Sequence, residues 1–257
     1  DLSDLVLGQS DQVMIQQMID TSAVGCYSYA WQFANFLFII FGALNKTWCP
    51  FFFDEMKQGK REAMMDKTRN FLELFTILAC GFILLAPEVY HVYGKRDFWS
   101  STGIIPLFVT SYYLNFLCTF PVNYEYYHKK TKVVAIVTIS CSLINIALNY
   151  LLIRAIGMAG AALATVISRF VELAVVAGWT HRHSGRNPFI LDVYKSLYIP
   201  GRLLKDIAIK GMPLLVNEFL WSSAMAVSNQ CYSTCGLDVV PAMNISTTLF
   251  NLGSVVF

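Results

Sequence analysis

Two apolar stretches with three residues between them constrain this chain more than any other feature. Val133 to Ile153 runs 21 residues without a charge, and Gly157 to Trp179 runs 23 with only Arg169 and Glu172 charged. A helix of about 20 apolar residues crosses the roughly 30 Å hydrocarbon layer of a bilayer. The link Arg154-Ala-Ile permits only a tight reversal, so the pair is expected to form a membrane hairpin. Gly157, Gly160, Ala161, Ala162 and Ala164 present small side chains where the second helix meets the first, as close-packed membrane helices do.

The rest of the chain fits the same class. Apolar residues make up 56% and charged residues 14% of the 257 positions, against about a quarter charged in an ordinary soluble domain. Several spans are therefore expected. Segment one covers about Leu5 to Met18, and segment two Ala23 to about Phe53. Segment three covers Phe71 to about Val92, and segment four Ile104 to about Tyr127 with interruptions at Pro106 and Pro121. The hairpin supplies segments five and six, Ile207 to about Ser233 is the seventh, and an eighth starts at Val239. Glu55 to Arg69 reads as a charged loop. Both ends lie in or beside apolar sequence and no initiator Met is present, so a fragment is expected, with the first and last spans cut.

Charge placement sets an orientation. Fourteen of the 19 Lys and Arg fall in alternate loops: Lys57 to Arg69, Lys129 to Lys132, and Arg182 to Lys210. The intervening loops carry only Lys95, Arg96 and Arg154. By the positive-inside bias these basic loops, and the N-terminus, face the cytoplasm of a multi-pass plasma-membrane protein. Lys46 is expected to snorkel toward the inner surface. In the stretch Phe189 to Ile199, residues Ile190, Leu191, Tyr194, Leu197 and Tyr198 share one helical face. They suit either an amphipathic helix in the interface or a connector packed under the bundle.

A shift of 216 residues lays Ala23–Phe41 on Val239–Phe257 and matches Val24, Asn35 and Phe41 to Val240, Asn251 and Phe257. Transporters are often built from such repeats. The expected organisation is one six-helix lobe over residues 1–183, a cytoplasmic linker over 184–201, and the first two helices of a second lobe over 202–257. The seven cysteines sit mostly in apolar runs without a Cys-x-x-Cys pair. They are expected to be small buried residues, with neither a disulfide framework nor a metal site. No phosphate loop, Gly-x-Gly-x-x-Gly or Gly-x-Ser-x-Gly is present, so no enzyme is expected, and nothing suggests nucleic-acid binding.

Asn149-Tyr-Leu-Leu-Ile followed by Gly157-Met-Ala-Gly-Ala-Ala-Leu-Ala-Thr-Val-Ile-Ser-Arg-Phe-Val-Glu172 resembles segments five and six of the multidrug and toxic compound extrusion (MATE) transporters. Pro213-Leu-Leu-Val-Asn-Glu-Phe-Leu-Trp221 and Gly236-Leu-Asp-Val-Val-Pro-Ala-Met-Asn-Ile-Ser246 look like the start of their second lobe. Ser10-Asp-Gln-Val-Met-Ile15, Ala23-Val-Gly-Cys-Tyr-Ser-Tyr-Ala30, Ala43 to Phe53 and Tyr126-Tyr-His-Lys-Lys-Thr-Lys132 resemble the related polysaccharide (oligosaccharide) flippases. Either likeness implies an all-α integral membrane fold of two six-helix lobes working by alternating access. The first implies antiport of a small organic cation against H+ or Na+, with no other cofactor. The second implies flipping of a lipid-linked oligosaccharide. A third possibility is a fragment or chimera that transports nothing.

The candidate cation- and substrate-binding residues are Asp11, Glu218, Asn35 and Asn251. A carboxylate within a span, costing about 2.5–3.5 kcal/mol on insertion scales, marks an ion or substrate path by default. Asp11 matches the first-helix Asp that some MATE transporters use for cation coupling. The alternative is a solvated carboxylate near a helix end. Gln12 stands where flippases commonly carry Arg. Glu218 lies about one turn short of a MATE cation-site Glu and is expected to neighbour such a site, or to pair with Asn217 or an adjoining helix. Asn35 and Asn251 either line the cleft between lobes or bond to neighbouring helices. Arg169 and Glu172, three apart, are expected to form a structural intramembrane ion pair. Tyr27, Tyr29 and Trp31 fit either contact with a ligand or, more simply, an interfacial aromatic belt. The chemistry is expected at Asp11 and in the cleft between lobes, and the hairpin is expected to carry architecture alone.

Overall fold

The computed structural model describes residues 2–58, 61–93 and 96–183, together with Ala224. The chain divides into a unit spanning Ser3–Gly201 and another spanning Arg202–Phe257. Apart from Leu2 and Ala224, the described residues belong to the first. The linker, segments seven and eight, Glu218 and Asn251 lie outside the described residues.

Among the described residues the first unit is a bundle of six helices: α1 (Leu2–Met18), α2 (Thr21–Gln58), α3 (Arg61–Tyr93), α4 (Ile105–Tyr127), α5 (Thr131–Ile156) and α6 (Met158–His183). A 3-10 segment, Arg96–Ile104, leads into α4. Among the described residues there is no strand. Stretches within α2, α3, α5 and α6, and Phe98–Tyr127 leading through α4, are long and apolar enough to cross a membrane.

Short links force each reversal. Between α1 and α2 stand only Ile19 and Asp20, and the Asp20 carboxylate caps α2 by accepting the Ala23 N–H at 2.6 Å, which satisfies one of the orphan donors of a helix start. Between α5 and α6 stands Gly157 alone, with φ +65° and ψ −146°, a backbone region that side chains exclude. The link is shorter than the expected Arg154-Ala-Ile, because those three residues complete the last turn of α5.

Two further expectations change. Residues 55–58 and 61–69, read as loop, continue α2 and begin α3. Charge there reports contact with water, and helices satisfy their own backbone whether or not they are wet. These ends carry their own pairings: Lys67 reaches Glu55 at 3.6 Å and stands over the Phe51 ring at 4.0 Å. Segment four is uninterrupted: Pro106 sits in the first turn of α4, where no N–H is needed, and Pro121 lies inside the continuous helix. Of the cysteines, Cys26, Cys118 and Cys141 are buried and Cys49 partly so, but Cys80 is exposed, against the expectation for it. On a membrane helix the face turned to lipid tolerates a small apolar thiol as well as the core does.

The packing follows residue size. α2, α3 and α4 meet through aromatic rings: Phe75 against Phe116 at 4.3 Å, and Trp48 stacked on Phe71 at 5.1 Å. Such pairs are worth about 0.5–1.5 kcal/mol each beyond burial. α6 packs against both α5 and α4 through the fully buried Ala161, Ala162 and Ala164. Gly160 faces the α5 backbone at Leu152 and Ile153 so closely that a Cβ would overlap it. Small residues thus bring α5 and α6 into backbone contact, and whatever polar side chains they carry are brought together with them.

Candidate ion site

Asp11 lies within α1 and is only 5% exposed. The solvated reading of this carboxylate is therefore wrong for the folded unit. Three donors reach it. The Tyr27 hydroxyl from α2 donates to Oδ2 at 2.9 Å, the Asn149 amide from α5 to Oδ1 at 2.5 Å, and the Thr165 hydroxyl from α6 to Oδ2 at 3.3 Å. Four helices thus converge on one carboxyl group. Behind the donors, the Asn149 amide also donates to Asn145 Oδ1 at 3.1 Å, and the Asn145 amide reaches Thr165 Oγ1 at 3.4 Å. Asn149 is fully buried, and its Oδ1 accepts no hydrogen bond.

Asp11, Tyr27, Asn145 and Thr165 line a cavity of about 130 Å³. Among the described residues on its wall, only Asp11, Arg169 and Glu172 carry charged side chains. Arg169 Nη1 donates to Glu172 Oε2 at 2.8 Å, and the Thr138 hydroxyl from α5 donates to Glu172 Oε1 at 2.8 Å. Asn35 also lines the cavity and is partly buried. Of the residues singled out in the sequence, the cavity therefore gathers Asp11, Tyr27, Trp31, Asn35, Arg169 and Glu172. Lys46 is exposed on α2.

Two expectations about this region are corrected. Tyr27 belongs to no aromatic belt: it is 2% exposed, packs edge-on against Phe108 at 5.1 Å and bonds Asp11. Trp31 lines the cavity, and Tyr29 stacks on Phe98 of the 3-10 segment at 4.6 Å. Nor is the α5–α6 hairpin architecture alone, since it supplies Asn149 and Thr165 to Asp11. Sequence reasoning missed Asn145, Asn149 and Thr165 as site residues, although spacing signals were present. Asn145 and Asn149 are i, i+4 on an otherwise apolar helix, and Thr165, Arg169 and Glu172 are i, i+4, i+7 on the next, so each set shares one helical face.

A buried carboxylate on the wall of a cavity of this size suits a small cation. Hard cations take oxygen ligands, whereas pockets for drug-sized molecules run to about 300–1,000 Å³.

No family model matches the sequence. An uncharacterized membrane protein of Haemophilus influenzae is 27% identical over 139 residues, covering 53% of this chain and 34% of that protein. The chain thus matches about a third of the length of this relative. With the five long apolar stretches, this likeness makes the chain a multi-pass membrane protein, helical throughout its described spans.

Proposed function

We propose that this chain belongs to a cation-coupled secondary transporter of the MATE type, which exports small organic cations across the cytoplasmic membrane by alternating access. Asp11 is the coupling group and takes H+ or Na+. The observation that carries this reading is the convergence of Tyr27, Asn149 and Thr165 on a buried carboxylate at a cavity sized for an ion. Intramembrane carboxyls with such company mark ion paths in transporters. The organic substrate requires a larger space than this cavity offers. Flipping of a lipid-linked oligosaccharide is the second reading and draws on the sequence around Ala23–Ala30 and Ala43–Phe53. Against it, Arg169, the only cationic side chain described on the cavity wall, is engaged by Glu172, which leaves little to attract a pyrophosphate.

The test uses the full-length protein in proteoliposomes with ethidium as the organic-cation probe. Ethidium movement driven by a Na+ or pH gradient is expected, and Asp11→Asn should abolish gradient-driven movement while leaving the folded protein intact. Unchanged gradient-driven export in that variant would remove Asp11 from coupling. Rescue of a flippase-deficient strain, without ethidium export, would favour the second reading.

A further inference from the structure

Arg169 and Glu172 have no task in this coupling scheme, yet they line the same cavity as Asp11. An ion pair within a span is seldom kept for stability alone, because an apolar pair of similar volume serves as well or better. The placement is informative. Thr165, which touches Asp11 at 3.3 Å, precedes Arg169 by one helical turn, so their Cβ atoms stand about 5–6 Å apart on the same face. The long, flexible stem of Arg169 spans that distance. Its guanidinium is instead drawn along the helix in the other direction, to Glu172 at 2.8 Å. Glu172 does not float: Thr138 of α5 holds its other oxygen at 2.8 Å.

We infer that Arg169 is a tethered cation able to occupy Asp11 in place of the diffusible ion, and that Glu172, anchored by Thr138, holds it off the site. This deepens the cation-coupled reading and rests on it. The charge balance of the wall follows directly. Two carboxylates and one guanidinium leave a single negative charge, which matches one monovalent ion. If Glu172 loses its charge, Asp11 becomes the remaining anion among the described residues on the wall, and opposite charges in a medium of low dielectric attract strongly. The guanidinium then fills the site, and the free ion is excluded.

The experiment measures stabilisation of the full-length protein in detergent against thermal unfolding, since a ligand that binds the native state raises the midpoint. The probes are Na+ against choline at constant ionic strength, and protons from pH 8 to pH 5 without Na+. Tyr27, Tyr112 and Cys141 are the other titratable groups on the wall, so Asp11→Asn is run throughout to identify the response that belongs to Asp11. The wild type should respond to one of the two probes, with Asp11→Asn unresponsive. Glu172→Gln should weaken the response at least 100-fold. Glu172→Gln combined with Arg169→Gln should restore it to within about threefold of wild type. Thr138→Val, a milder change, should weaken it about tenfold, and Arg169→Gln should cancel that loss too.

A wild-type response in Glu172→Gln, with Asp11→Asn unresponsive, overturns the inference and leaves the coupling role of Asp11 standing. A Thr138→Val or Glu172→Gln defect that persists after Arg169→Gln also overturns it. A response that survives Asp11→Asn, or a wild type that responds to neither probe, overturns the coupling role and the inference together.

Discussion

Replacing Gly160 by alanine tests whether backbone contact between α5 and α6 sets the geometry around Asp11. The added Cβ would overlap the Leu152 carbonyl and lie 2.8 Å from Ile153 N, against 3.4–4 Å for ordinary contact. Relieving the second contact alone requires the helices to part by at least ~0.6 Å, and the carbonyl demands more. The obstacle is main chain, so no side-chain rotation removes it. Overpacking of this kind destabilises by about 1–3 kcal/mol. The shift also exceeds the roughly 0.5 Å within which a functional constellation must be held. Asn149 lies three residues before Leu152, and Thr165 lies five after Gly160, so opening the contact draws the two donors away from Asp11.

The measurement is unfolding in a titration of denaturing detergent, run alongside the cation-dependent stabilisation of the full-length protein. Gly160→Ala is expected to lose about 1–3 kcal/mol and to shift the cation response at least tenfold. Gly178→Ala on the same helix is the control: nothing lies within 4 Å of its would-be Cβ, and alanine favours helix over glycine by up to about 1 kcal/mol. It should be neutral or stabilising. If Gly160→Ala proves as stable and as responsive as Gly178→Ala, close helix approach does not set the site.

Other consequences can be checked separately. Tyr27→Phe keeps the ring against Phe108 but removes one donor to Asp11. Hydrogen bonds to charged groups are worth about 1.5–3 kcal/mol, and this one steadies the carboxylate before any cation binds, so ion affinity should rise about 10- to 100-fold with little loss of fold, as read by the same stabilisation assay. Thr165→Val should act in the same direction, and an affinity unchanged in both variants would show that these donors do not steady the carboxylate. Gly157→Ala forces a side chain into a backbone region reserved for glycine, at a cost of about 1–3 kcal/mol. Detergent unfolding should show that loss, while a wild-type midpoint would mean that the α5–α6 turn adopts another conformation.

Much of the fold was legible in the order of residues. The uncharged run Val133–Ile153 and the small residues after Gly157 announce a close-packed hairpin, since membrane insertion sums hydropathy over about 20 consecutive residues. Asp11 stood out by the same logic, as a charge where charge is costly. The extensions of α2 and α3 through Glu55 and Arg69 were not legible, because a charged side chain reports its solvent and not its backbone. Tyr27 was misread for a related reason. A tyrosine near the start of a span suits a membrane interface, and nothing local reveals a carboxylate partner on another helix.

The sequence by itself determined the helical spans, the tight α5–α6 reversal, the Arg169–Glu172 spacing and one conspicuous carboxylate. Each is a property of neighbours along the chain, governed by hydropathy, by the 3.6-residue period or by the unusual backbone of glycine. Only the tertiary structure decided who meets Asp11. Its partners stand 16, 138 and 154 residues away, and their meeting depends on the rotation and register of four packed helices. The missing side chain at Gly160, where α6 meets the α5 backbone, sets part of that register, and a shift beyond about 0.5 Å would undo it.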